Sequence, residues 1–261
     1  MTTDSITCER RGHLFLMGLN RVAKRNAFDP PMLHALARAY GELDRDPDLR
    51  CGVVFAHGDH FSGGIDLAQF GPLLARDSDP LAPEPGEIDP LSLRNHLSKP
   101  LVIAVHGISF TIAIEMLLAA DVRIAARGTR FAQIEVGRGL YPLGGATIRL
   151  AREAGWGNAM RYLLTGDEFG PEEALRLGLI QEITEPGAHI DRAIEIAERI
   201  AAQAPLGIQA TLRSARIAIT QGEEIAIAQL REDLPAILAS EDFRQGVQSF
   251  RERRKAVFSG K

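Results

Sequence analysis

Four short apolar runs, at residues 14–19, 51–56, 101–105 and 122–125, most narrow the folds open to this chain. Each is short and reads as a strand. Helical patterns lie between them. Within residues 26–31 Asp29 can cap a helix and Pro30 suits its first turn. The stripe that follows, Leu33, Leu36, Ala37, Tyr40 and Leu43, keeps a helical period. Residues 66–70 and 112–120 each read as a helix following a strand and a glycine-bearing turn. Strands alternating with helices predict an α/β core with helices packed on the sheet.

From Thr147 onward the chain reads as mainly helical, with segments near 156–164, 171–177, 188–203, 205–221, 223–239 and 242–256. Gly166, Gly178, Gly187, Pro205 and Gly222 punctuate them, and residues 179–183 read as one strand among the helices. Residues 71–91 break the pattern. Prolines 72, 80, 83, 85 and 90, with acids from Asp77 to Asp89, predict a loop that either closes over a ligand or stays disordered.

A length of 261 residues suits one large domain or a domain with a small appendage, and no internal repeat is visible. The net charge of −4 gives no reason to expect nucleic acid or an anionic membrane as partner, and no basic stripe carries interleaved aromatics. Cys8 and Cys51 lack metal-ligand or redox spacing and read as reduced thiols, which predicts a cytoplasmic or organelle-matrix setting. Residues 1–13 show no secretory signal. The longest apolar run, around 110–126, is interrupted by Glu115, Asp121 and Arg123, so a buried soluble element is expected rather than a membrane span.

Glu115 lies within Phe110-Thr-Ile-Ala-Ile-Glu-Met-Leu-Leu-Ala-Ala120, where a buried carboxylate needs a partner, a proton or a task. Glu135 follows in Arg130-Phe-Ala-Gln-Ile-Glu-Val-Gly137. Two carboxylates in one pocket can divide general acid and base roles. The segments 60–67 and 106–115 each bring backbone amides beside a helix start, as an oxyanion site requires. Blander readings stand beside these: a helix carboxylate facing a polar partner for Glu115, the wet face of a strand for Glu135, and a plain turn at Gly63-Gly64. Lys24 and Arg25 read equally as solvated charges, and 251–255 as a helix's wet face. His57-Gly-Asp-His60 lacks further ligands for a metal. The glycine motifs of dinucleotide sites, nucleotide sites and serine-hydrolase elbows are not met.

In order along the chain, residues 19–28, 61–67, 104–115, 120–124, 131–135, 142–150 and 249–255 resemble the signature blocks of the crotonase (enoyl-CoA hydratase/isomerase) superfamily. The resemblance implies an α/β fold with a crotonase-like ββα spiral core at 1–200 and a helical C-terminal trimerisation region at 201–261. It implies hydration of a 2-enoyl-CoA, with the amides of Ile65 and Ile112 on the thioester oxygen and Glu115 and Glu135 as acid and base. Gly63 and Ile65 would receive the adenine, Lys24 and Arg25 would approach ribose and phosphates, and Phe250 and Arg253 would cap the coenzyme of a neighbouring subunit. No metal or redox cofactor is implied, since coenzyme A comes with the substrate, and a homotrimer or hexamer is implied as the assembly. An isomerase, another acyl-CoA enzyme or a non-catalytic acyl-CoA-binding subunit are the alternatives. Two positions depart from the family pattern: Thr111-Ile112-Ala113 replaces a glycine-rich triplet, and His106 stands where asparagine is usual.

Overall fold

The computed structural model describes residues 4–74 and 79–261. Its elements in chain order are β1 (Ile6–Arg11), β2 (Leu14–Leu19), α1 (Pro30–Arg45), β3 (Cys51–Ala56), α2 (Leu67–Leu74), β4 (Leu101–Val105), β5 (Ile108–Phe110) and α3 (Ile112–Ala119). There follow β6 (Val122–Ala126), β7 (Arg130–Ala132), α4 (Ala146–Ala154), α5 (Trp156–Leu163), α6 (Pro171–Arg176) and β8 (Glu182–Thr184). The chain closes with α7 (His189–Ala201), α8 (Pro205–Gln221), α9 (Glu223–Gln229), α10 (Leu234–Ala239) and α11 (Glu241–Arg251).

The four apolar runs are the middle of a six-stranded sheet ordered β1-β2-β3-β4-β6-β8, parallel except for the β1–β2 pair. Both faces are covered, which is why these strands lack a polar alternation. Phe15, Met17, Leu19, Val54, Ile103 and Val105 face the larger core beneath α1 and α3. Leu14, Leu16, Val53, Val102, Ala104 and Ile124 face α7. That helix meets the sheet through Ala193, Ala197 and Ala201, four residues apart, so its backbone approaches closely. The predicted start of α1 is present: the Asp29 side chain accepts from Met32 N at 2.9 Å, and Leu33, Leu36, Ala37, Tyr40 and Leu43 are all buried.

Several elements differ from expectation. Strand β1 carries only one buried residue, Ile6, so no apolar pattern announced it. Helix α2 continues past Phe70 to Leu74 because Pro72 falls in its last turn, where a single donor is lost. Leu179 and Ile180 fill the core ahead of β8 rather than pairing in it. The predicted 223–239 helix is two, α9 and α10. In the 71–91 loop, residues 75–78 lie outside the described residues, but two of its acids anchor the stretch that follows them. Glu87 is buried and paired with His34 Nδ1 at 2.8 Å and Arg38 at 3.1 Å. Asp89, also buried, accepts from Leu91 N at 2.9 Å and Leu93 N at 3.0 Å. Among the described residues no helix is long and apolar enough to cross a membrane.

The first residue of α7, His189, packs against His106 at the end of β4, their facing nitrogens 3.0 Å apart. His106 Nε2 lies 2.8 Å from the Gly58 carbonyl, which can only accept, so His106 Nδ1 must accept from His189 Nε2–H. That leaves His189 Nδ1 bare, buried and without a partner among the described residues. Burial, and then the neighbouring His106, push the His189 pKa down to about 4. The unfolded chain therefore takes up this proton below about pH 6.5, the folded chain only near 4, so stability falls as pH drops through that window. The expected loss is on the order of 2 kcal/mol. Raised carboxylates elsewhere act with the opposite sign, so the measurement is the difference between wild type and His189→Asn in denaturant melts from pH 7 to 4. A difference that does not change with pH would refute the depressed pKa of buried His189.

Candidate active site

The small sheet of β5 and β7 is what brings the two glutamates together. Its strands run parallel, with Ile108 opposite Arg130 and Phe110 opposite Ala132, so both chains leave at the same end. From there α3 carries Glu115, while a 3-10 turn at Glu135–Arg138 carries Glu135. Glu135 thus stands on a turn and not on the strand face its Ile-Glu-Val context suggests. Both carboxylates line one cavity of about 260 Å³, together with Gly63, Ile65, Ile112 and Gly144.

Each carboxylate is held differently. Glu115 is 3 % exposed, and its Oε1 accepts from Gly144 N at 2.6 Å and Ala146 N at 3.3 Å, the amides at the start of α4. Burial raises its pKa to about 7 against the pull of those two amides and of the Arg149 charge. Glu135 is half-buried; the amide nitrogen of buried Gln133, turned towards it, donates to its two oxygens at 2.9 and 3.2 Å. Burial again raises its pKa to about 7, and the charge of Glu115 adds to the rise. Both groups can therefore gain or lose a proton near neutral pH, as acid–base chemistry there requires.

Opposite the acids, two segments are tied side by side. Ser62 N donates to Ile108 O at 3.0 Å and Phe110 N to Ser62 O at 3.1 Å, so 61–65 and 108–112 run together into the cavity. On the first segment Phe28 N donates to Gly64 O and Asp66 N to Phe28 O, both at 2.8 Å, which leaves the Ile65 N–H over. On the second, Ile112 is the first residue of α3 and has no intrahelical acceptor. Among the described residues neither amide has a backbone acceptor. Two such donors in a buried, apolar-walled cavity suit an oxygen on which negative charge develops.

The family model for enoyl-CoA hydratase/isomerase matches residues 9–261. The chain belongs to this family. It is 34 % identical to enoyl-CoA hydratase EchA19 of Mycobacterium tuberculosis over 97 % of this chain and 96 % of that protein. It is also 32 % identical to the (E)-benzylidenesuccinyl-CoA hydratase of Thauera aromatica, over 98 % of this chain and 99 % of the relative. A crystal structure of an enoyl-CoA hydratase/isomerase-type protein from Mycobacterium abscessus superposes with a TM-score of 0.95 at 48 % identity, covering 99 % of each chain. The mixed α/β architecture described above is thus the crotonase fold.

Within this family member the remaining predicted residues fall in two places. Buried Asn26 donates to His57 O at 2.9 Å and His60 O at 2.8 Å, and Gly63 N donates to Arg25 O at 2.8 Å. Those bonds hold exposed Lys24 and Arg25 beside the Gly63 rim of the cavity. Phe250, 86 % exposed on α11, and Arg253 just beyond it do not line the cavity of this chain. Leu81 and Leu91, from the 71–91 stretch, and Tyr141 supply further wall. Gln133, Gly144 and Ala146 were not singled out by sequence reasoning; the one available signal was a glutamine between apolar Ala132 and Ile134, two residues before Glu135.

The departure at Thr111 has a geometric consequence. It has φ 52° and ψ −113°, a conformation that side chains with a Cβ rarely adopt, and here the residue is β-branched. Its buried hydroxyl has no partner among the described residues and occupies space that only a glycine at 64 leaves open, since an added Cβ there would lie 2.5 Å from Thr111 Oγ1. Strain of this kind costs about 1–3 kcal/mol. Thr111→Gly is therefore expected to be more stable than Thr111→Ala by about 1–2 kcal/mol, in the order that both the positive φ and the N-cap position favour. Thermal melts of both variants test this; an alanine variant that melts higher than the glycine variant would show that the backbone there is unstrained.

Proposed function

We propose that the protein is an enoyl-CoA hydratase, adding water across the double bond of a 2-enoyl-CoA to give a 3-hydroxyacyl-CoA. The observation that carries this reading is one cavity with two free amides on one side and two carboxylates of near-neutral pKa on the other. The amides of Ile65 and Ile112 hold the thioester oxygen, drawing electrons from the double bond and making C3 electrophilic. One carboxylate takes a proton from water as its oxygen bonds to C3. The other gives a proton to C2 as the enolate collapses. Charge grows on the thioester oxygen only in the transition state, so the amides bind that state more tightly than the substrate. The reaction written this way needs no metal or redox cofactor.

Gly63 and Ile65 receive the adenine, and Lys24 and Arg25 the ribose and phosphates. Phe250 and Arg253 close over the coenzyme of a neighbouring subunit in a trimer or dimer of trimers. The apolar side chains exposed along residues 201–261, Ile227, Leu230, Leu238, Phe250 and Val257 among them, support that assembly. Their exposure on a single copy is what an oligomer would relieve.

The deciding experiment follows the loss of enoyl-thioester absorbance when the purified protein meets 2-enoyl-CoAs of increasing chain length. Rapid loss with a 3-hydroxyacyl-CoA product is expected, and the length preference reports how buried Ile112 shapes the acyl end. Tight binding without conversion would replace this reading with an isomerase, another thioester reaction or a binding subunit.

A further inference from the structure

A second cavity, of about 500 Å³ and lined by neither Glu115 nor Glu135, lies between the α3–α4 side of the core and α8. Its wall carries Arg149, Arg152, Arg213 and Arg216, with His96 at one edge and the acids Asp121 and Glu153. The acids are committed. Asp121 pairs with Arg216 at 3.1 Å, and Glu153 pairs at 2.7 Å with Arg123, which is not part of the wall. Arg213 is matched by Asp233. Arg149 and Arg152 remain, and among the described residues neither has a carboxylate within ion-pair distance. Arg149 instead donates to the Leu91 and Ser92 carbonyls at 2.6 and 2.7 Å, contacts that orient the guanidinium without neutralising it.

The two arginines are three residues apart on α4, so they share a face, where like charges repel. Burial lowers the pKa of Arg149 and the charge of Arg152 lowers it further, a fall that the charges of Asp89, Glu115 and Glu153 only partly offset. His96 is likewise lowered by burial and then by Arg216 and Arg149. Mutually repelling cations gathered around a concavity are costly unless an anion joins them. Guanidinium forks match the oxygens of a phosphate in pairs.

We propose that this cavity binds a phosphate-type dianion, either inorganic phosphate or a small phosphomonoester, through Arg149, Arg152 and His96. The bound anion would tie α4, in the core, to α8, whose Arg216 already reaches the Leu97 carbonyl and Asp121 across the same space. It would lie outside the acyl-CoA cavity and leave it open.

The test is calorimetric titration of the intact protein with inorganic phosphate and with glycerol phosphate, at ionic strength fixed with chloride. Saturable binding is expected, weakened roughly ten-fold in Arg152→Gln by loss of one charge-assisted partner and largely retained in Arg152→Lys. Tighter binding of glycerol phosphate would identify a phosphomonoester as the ligand; tighter binding of phosphate would identify the free anion. Binding must also survive saturating butyryl-CoA, and turnover of Arg152→Gln must match wild type. No saturable binding, as when an acidic segment of a second copy fills the cavity, would overturn the proposal. So would equal affinity in Arg152→Gln, or displacement by butyryl-CoA, which would place the phosphate in the coenzyme site.

Discussion

Glu115→Gln and Glu135→Gln are each expected to lower kcat for hydration by roughly 10²–10⁴, with KM little changed. Glutamine keeps the shape and the accepting oxygen of each side chain. In Glu115→Gln that oxygen can still take the Gly144 and Ala146 amides, so the start of α4 stays anchored. In Glu135→Gln it can still take the Gln133 amide. Only the capacity to hold and deliver a proton is removed. The proposed mechanism has the two groups act on one water and one substrate, so it predicts a double variant far less impaired than the product of the single effects. Steady-state kinetics on one 2-enoyl-CoA, with circular dichroism to confirm folding, measures all three. Since burial places both pKa values near 7, the wild-type rate should change over the neutral range, and each single variant should lose one limb of that profile. Wild-type turnover in both single variants would rule out the acid–base pair, and loss confined to Glu135→Gln would favour an isomerase working with a single base.

How much of this could be read from the chain depended on whether the physical cause was local. The buried strands β2, β3 and β4 were legible because covering both faces demands apolar runs, and β6 because only Arg123 interrupts its run. Helix α1 was legible because cap, proline and stripe lie within a few turns of one another. Glu115 stood out since its neighbours on every side are apolar. What stayed hidden depends on contacts distant in sequence. Edge strand β1 is held by its ladder to β2 and hardly by burial. Glu87 and Asp89 look solvated in a proline-rich stretch, yet they are the anchors of that loop, satisfied by α1 side chains and by following amides. Thr111 was visible as a departure, but its positive φ belongs to the turn between β5 and α3. Gln133 could not be assigned to Glu135 without the 3-10 turn that swings the carboxylate back towards it.

Gly144 is the clearest such case, and Gly144→Ala is expected to reduce hydration by roughly 10² or more and stability by about 1–3 kcal/mol. Its φ lies outside the left-handed region, so alanine is allowed by the backbone and the effect is one of space. An added Cβ would overlap Glu115 Oε2 and sit 2.6 Å from the carboxylate carbon and 3.1 Å from Glu115 Cβ. The carboxylate cannot swing clear cheaply: its other oxygen is bonded to the Gly144 amide itself, and the surrounding residues of α3 are buried. Relief must come from shifting Glu115 or the start of α4, and either breaks the geometry that holds the carboxylate at the cavity wall. Gly157→Ala serves as the control, because a Cβ there meets nothing within 4 Å and the residue lies in helix α5. That variant should keep full activity and gain about 0.4–1 kcal/mol. The decisive comparison combines the two perturbations of one group. If Gly144 acts through Glu115, adding Gly144→Ala to Glu115→Gln should cost little further turnover, because the proton carrier is already gone. A full multiplicative loss in that double variant would mean that Gly144 is needed for some other reason, such as the path of the chain into α4.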